Sequence, residues 1–199
     1  PMLGPIQPSP VPDLATTGPR SSRTVPPPRS EDEDPGRARL IERMLRFESL
    51  AGVDAEGADL HDIDLSGRSL EGAKLRGAKL ERARLARTVL ADADLSGADL
   101  SGALLTEADL RRADLTGASL PGARLDRAQV EGTKLGSVKA AGATFDGARG
   151  EQAVFSRASL ERASFRGADL AGADFVDAEL DGTRFDGASL ERVQLCGAR

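Results

Sequence analysis

From Ala58 to Arg199 the chain repeats one five-residue pattern without insertion or deletion: a small residue, a polar residue, Leu or Phe, then two positions held by polar residues or Gly. Asp92 to Ala103 states it most cleanly. Every large apolar centre falls on a residue number divisible by five. Of the 28 centres from Leu60 to Leu195, 20 are Leu and five are Phe; the exceptions are Val130, Ala140 and Gly150. A period of five matches neither the 3.6 of a helix nor the 2 of a long strand. The many Gly also oppose a helix, each by about 1 kcal/mol against Ala. The period does suit a short extended piece followed by a tight turn. The centre and the small residue two before it then share one face, since alternate residues of an extended segment point the same way. Turning after every unit gives a polygonal coil with those residues inside.

The Phe residues count the sides. With four repeats per coil, centres twenty apart stack, and two columns form: Leu65, Leu85, Leu105, Leu125, Phe145, Phe165, Phe185, and Leu75, Leu95, Leu115, Leu135, Phe155, Phe175, Leu195. All five Phe fall in these columns, on opposite sides of a square. Leu60, Leu65, Leu95 and Leu100 are expected in the core with Phe145, Phe155, Phe165, Phe175 and Phe185. Ala140 and Gly150 share a coil with Phe145 and Phe155, so the rings are expected to lean into the space these small centres leave, because close packing rewards compensation of volume. About seven coils, each rising ~4.8 Å, make a rod roughly 34 Å long.

The repeats A-D-L-S-G, A-D-L-R-R, A-S-F-R-G and A-D-F-V-D resemble the pentapeptide-repeat family, over all of the chain that follows residue 53. The resemblance implies an all-β solenoid, a right-handed quadrilateral parallel β-helix with four repeats per coil.

Ahead of the array, Asp34-Pro35 reads as a helix start, with a capping Asp and Pro in the first turn. Leu40, Ile41, Met44 and Leu45 form one apolar stripe, Glu42 and Arg46 can pair at i,i+4, and Gly52 is a stop signal. A helix over 35–52 is therefore expected, closing the first coil as a lid, because the ends of such a rod expose core and sheet edge. The array occupies 53–199 and shows no matching cap at Leu195–Arg199; either a second copy docks there end to end, or the chain continues. Residues 1–35 hold ten of the eleven prolines. Residues 1–34 read as a Pro-rich disordered linker, since they cannot bury enough apolar surface to offset ordering. Pro26-Pro27-Pro28-Arg29 within it has an alternative reading as a docking ligand for an aromatic groove.

Charge and composition narrow the chemistry. The 32 acids and 27 bases nearly balance, so direct nucleic-acid binding, which calls for a basic protein, is not expected. Trp and Tyr are absent, and no apolar run reaches the ~20 residues of a membrane span. The start lacks a signal-peptide pattern; the expected compartment is the cytoplasm, with a secreted effector as the alternative. His61 beside Asp59, Asp62 and Asp64 reads as a solvated histidine before a metal ligand, and Cys196 as an incidental thiol, since no His lies near it in sequence. Asp94, Asp99, Asp109, Asp114, Asp169 and Asp174 invite a reading as paired catalytic carboxylates, but they recur with the repeat and keep the walls soluble. No enzyme activity, cofactor or metal is expected.

The wall over the Leu65 column carries a basic cluster, Arg84, Arg87, Arg124, Arg127, Arg166 and Arg184, interrupted by Glu107, Asp126, Asp146 and Asp186. It reads either as cross-coil ion pairs, each worth little, or as an interaction face. Leu104, Val89, Val154 and Val176 also point outward. The leading function is a non-catalytic protein-interaction scaffold or rigid spacer with an unknown protein partner. The family resemblance implies one alternative, a DNA-mimicking modulator of DNA gyrase, which calls for a strongly anionic rod; residues 58–199 carry 23 acids and 20 bases. A repeat tail of a secretion-system adaptor or effector is another.

Overall fold

A computed structural model describes residues 34–199; the linker expected over 1–34 lies outside them except for Asp34. From Asp54 to Gln194 single-residue parallel bridges join each position to the one twenty later: Asp54 to Lys74, Asp59 to Lys79, Asp64 to Arg84, Ser69 to Val89, and onward. Four bridging columns per twenty residues make a four-walled parallel solenoid, and each wall contributes one bridging residue per coil.

One repeat explains the whole ladder. Leu95 N–H donates to Asp114 O at 2.7 Å, Gly97 N–H to Thr116 O at 3.0 Å, and Asp99 N–H to Ala78 O at 2.9 Å. Ala98 N–H closes the corner onto Leu95 O at 3.0 Å. The third residue of each corner turn has φ between 55° and 74°, the left-handed conformation for which Gly has no steric penalty. The coil bonds therefore use four of the five N–H groups and leave one over, that of the residue just after the centre. Asp takes it: Asp94 Oδ1 accepts from Ser96 N–H at 3.0 Å, Asp99 from Ser101 at 2.9 Å, and Asp174 from Val176 at 2.8 Å. The Asp of the repeat is thus a turn cap answering the one donor the ladder leaves free, and more than a solubilising row. Pro121, the one proline of the array, occupies that same position, where a missing N–H matters least.

The core is a solid file of side chains. Leu60, Leu65, Leu95, Leu100, Phe145, Phe155, Phe165 and Phe175 have no exposed surface, and Phe185 is partly buried in the last coil. The Phe columns stack face to face, Phe145 on Phe165 at 4.7 Å and Phe155 on Phe175 at 4.8 Å between ring centroids. The two columns meet edge to face at 5.4–5.9 Å, the favoured arrangement for aromatic quadrupoles. Where Thr replaces the usual small Ala, its hydroxyl finds a carbonyl of the coil before: Thr133 Oγ1 donates to Leu110 O at 2.7 Å and Thr88 Oγ1 to Leu65 O at 2.9 Å.

The expected compensation around Gly150 takes a different form. A Cβ at Gly150 would lie 2.9 Å from Leu170 Cδ2 and 3.3 Å from Val130 Cγ2. These are the neighbours above and below in Gly150's own column. The coil of Phe165 and Phe175 also holds full-sized Leu160 and Leu170, both buried, so a ring pair needs no undersized partner in its own coil. Leu170 reaches back over Gly150, and the relief is passed between coils.

The helix α1 spans Pro35–Leu45. Asp34 Oδ1 accepts from Gly36 N–H at 2.9 Å and Arg37 N–H at 3.1 Å, while its Oδ2 accepts from Asp59 N–H of the first coil. Leu40 is buried with Leu50, Val53 and Ala55 in one core cluster. Gly36 is required by the close approach: a Cβ there would lie 2.9 Å from Ala58 Cβ. The helix ends earlier than the expected 52. Phe47 takes φ 56°, its N–H donates to Met44 O at 3.1 Å, and Glu48 N–H donates to Arg43 O at 2.9 Å. This is a Schellman stop with Phe where Gly is usual. No helix of the described residues is long and apolar enough to cross a membrane.

Candidate interaction surface

The described residues hold no group of His, Cys, Asp or Glu able to bind a metal ion. His61 Nδ1 pairs with Asp59 Oδ1 on the surface, and Cys196 is an exposed free thiol. A shallow, open trough of about 520 Å³ lies over Gly136, Ser156 and Val154.

Charge is ordered by coil at the start of the rod. Asp54, Asp59 and Asp64 bridge to Lys74, Lys79 and Arg84; Lys74 and Lys79 bridge in turn to Asp94 and Asp99. Corner side chains follow the same rule, with Arg82 reaching Asp62 at 2.7 Å and Arg87 reaching Glu107 at 2.8 Å. The Arg87 guanidinium holds the Glu107 carboxyl below the usual range. An acidic coil thus lies against a basic one, which opposes any pairing that skips a coil.

The six arginines of the basic wall fall into two groups. Arg84 and Arg124 occupy one bridging column with Leu104 between them, Leu104 bridging to both. Arg87 and Arg127 stand at the adjoining corner with φ 58° and 57°. Further along, Arg166 and Arg184 converge on Asp186 at 3.3 and 3.4 Å, and Arg166 N–H also donates to Asp146 at 2.9 Å. Arg84 reaches Asp64 at 3.9 Å and Arg124 reaches Asp126 at 3.2 Å. Arg127 forms no salt bridge among the described residues. The wall is therefore two patches, mostly paired, instead of one continuous stripe. The first patch carries an exposed large apolar residue: Leu104 is 37% exposed. A dent of about 350 Å³ lined by Ser66, Ala86, Arg87, Thr106 and Glu107 lies alongside.

Sequence reasoning missed the apolar edge of α1. Leu45 is 75% and Phe47 86% exposed, with Ile41 beside Leu45 on the helix surface. The signal available was the run Leu45-Arg46-Phe47, read as helix interior. At the other end of the described residues Leu190 and Leu195 are exposed.

A family model described as pentapeptide repeats matches eight copies, over residues 69–106, 98–136, 135–170 and 163–199. The chain belongs to the pentapeptide-repeat family. Solved structures of the same kind match along most of the chain. One is HetL, a pentapeptide-repeat protein involved in heterocyst differentiation regulation, from the cyanobacterium Nostoc sp. strain PCC 7120; it is 30% identical over 75% of this chain and 84% of its own, with a TM-score of 0.25. Full-length QnrB1, a plasmid-mediated fluoroquinolone resistance protein, is 21% identical over 69% of this chain and 84% of its own, TM-score 0.37. Rfr23 from the cyanobacterium Cyanothece 51142 is 21% identical over 82% and 93%, TM-score 0.31. Comparison with curated proteins returns no match.

Proposed function

We propose that this pentapeptide-repeat chain is a non-catalytic protein-interaction scaffold: a right-handed rod of about seven coils, closed at its start by α1, that presents side chains on stiff walls. The observation that carries this reading is the Arg84–Leu104–Arg124 column. Two arginines, a side chain enriched at interface hot spots, flank an exposed Leu on a bridged backbone.

Photo-crosslinking residues at Leu104 and, on another wall, at Lys139 test the reading in cells expressing the chain. A discrete adduct from Leu104 and none from Lys139 is the expected result; silence at both positions overturns it. In a gyrase supercoiling assay the scaffold reading expects no inhibition by micromolar chain.

A further inference from the structure

We infer that the Arg84–Leu104–Arg124 column recognises an acidic amphipathic helix lying along the rod axis, with carboxylates at positions i and i+7 and an apolar side chain at i+3 or i+4. The inference deepens the interaction-scaffold reading and rests on it. Geometry selects the helix. Neighbouring coils rise about 4.8 Å, so Arg84 and Arg124, two coils apart in one bridging column, stand about 9.6 Å from one another along the axis. A helix advances about 10.5 Å between i and i+7 and carries i+3 and i+4 on the same face between them. An extended peptide returns to one face every ~6.8 Å, which matches neither one coil step nor two. Strand addition is closed as well, because the wall is already paired on both sides: Arg84 N–H donates to Ile63 O at 2.8 Å and Leu85 N–H to Leu104 O at 2.8 Å.

Charge supports an acidic partner. Over three successive coils the patch gathers Arg84, Arg87, Arg124 and Arg127 against Glu107 and Asp126. Arg84 and Arg124 have side chains 66% and 60% exposed in their pairs with Asp64 and Asp126. Exposed pairs of this kind are worth little, so both guanidiniums can turn to an incoming carboxylate at small cost. Glu107, held by Arg87 at 2.8 Å, and Asp126 both stand at the corner that follows the column, so a carboxylate displaced toward them meets like charge. Leu104 supplies the apolar contact, and the dent over Ala86 and Thr106 gives a bulky partner side chain room beside it.

The test uses the full chain and a fluorescent Ala-rich helical peptide with Glu at i and i+7 and Leu at i+4. Two controls share its charge: one moves the Leu to the opposite helix face, the other alternates Glu in an extended Val/Thr peptide. Anisotropy at low and physiological salt should give saturable binding of the first peptide alone. Arg84→Glu with Arg124→Glu, or Leu104→Ser, should weaken it by about 10-fold or more, whereas Arg166→Glu should leave it unchanged; melting curves check that each variant folds. A Lys-for-Glu version of the peptide should bind the double-Glu variant. No saturable binding, equal binding of the Leu-shifted control, or binding that survives the double reversal overturns the inference. An adduct from Leu104 in cells together with no helical-peptide binding leaves the scaffold reading standing and removes the helix; binding of the extended control alone makes the partner a strand and overturns the helix too.

Discussion

Arg112 and Asp92 meet in a two-pronged ion pair, Nε to Oδ1 at 2.8 Å and Nη2 to Oδ2 at 2.6 Å, across one coil step. Both also sit in left-handed backbone conformation, each with φ 58°. The same double feature recurs at Asp62 and Arg82. Each such residue carries a strain of about 1–2 kcal/mol that Gly avoids, and an exposed pair returns about 0.2–1 kcal/mol. The strain therefore outweighs the pair. Arg112→Ala keeps the strain and loses the pair, so it should lower stability by about 0.2–1 kcal/mol. Arg112→Gly loses the pair and releases the strain, and should melt above the Ala variant. Thermal unfolding of the two variants decides it; Ala melting higher than Gly would show that the corner is not strained.

The repeat made the walls legible because its period is covalent: five residues per unit and Phe twenty apart leave one cross-section. The bridging partners, the buried centres and the stacked rings follow from spacing alone. Three features did not. The end of α1 depended on Phe47 adopting φ 56°, a conformation rare for an aromatic, so nothing in residue type announced it. The role of the repeat Asp required a count of which N–H the coil leaves free, which spacing does not supply. The environment of Gly150 depended on Leu170 tilting toward the coil before it, a rotamer outcome invisible in a column diagram. The arginine wall was legible as a cluster, but its division at Arg166 and Arg184 came from which acid each guanidinium reaches.

The position of Pro121 makes a stabilising substitution available. Ala141 lies one coil above it in the same turn position. Its carbonyl accepts from Gly122 N–H at 3.1 Å, and it is followed by Gly142 at φ 66°. Residue 139, whose side chain would cap the Ala141 N–H, is Lys and cannot accept that bond. Pro then Gly is the preferred centre of such a turn. Ala141→Pro should raise stability by about 0.4–1 kcal/mol through the unfolded chain. Lys139→Pro is the contrast: Lys139 N–H donates to Ala118 O at 3.0 Å, and losing that ladder bond should lower stability by about 1–3 kcal/mol. Denaturant midpoints measure both, and a destabilised Ala141→Pro would contradict the one-free-donor account of the repeat.

Gly150 and Leu170 should be energetically coupled. Gly150→Leu places atoms where Leu170 Cδ2 and Val130 Cγ2 already lie, and overpacking of that kind lowers stability by about 1–3 kcal/mol. Leu170→Ala alone should also lower it, by about 2–5 kcal/mol. Combined, the two should lose less than their sum, since each occupies the room the other vacates. Purely additive losses in a double-mutant cycle would mean that the Gly150 space is closed by something other than Leu170.

Acid should loosen the rod through its turn caps. The Ser66 N–H donated to Asp64 holds that carboxyl below its ordinary value; the Ser96 hydroxyl does the same for Asp94, and the Arg112 guanidinium for Asp92. A carboxyl lowered on folding binds fewer protons in the folded than in the unfolded state. Its stabilisation is therefore full above the unfolded value, near about 3.9, and is lost as pH falls through the folded one. Melting temperature should be flat, so far as these groups are concerned, from neutral pH down to about pH 5 and fall steeply below about pH 4. In Asp64→Asn with Asp94→Asn the amide oxygens can still accept from the turn N–H groups but cannot titrate. That variant should begin less stable at neutral pH and lose less on acidification. If its acid slope equals that of the unaltered chain, protonation of the caps is not what unfolds the coil.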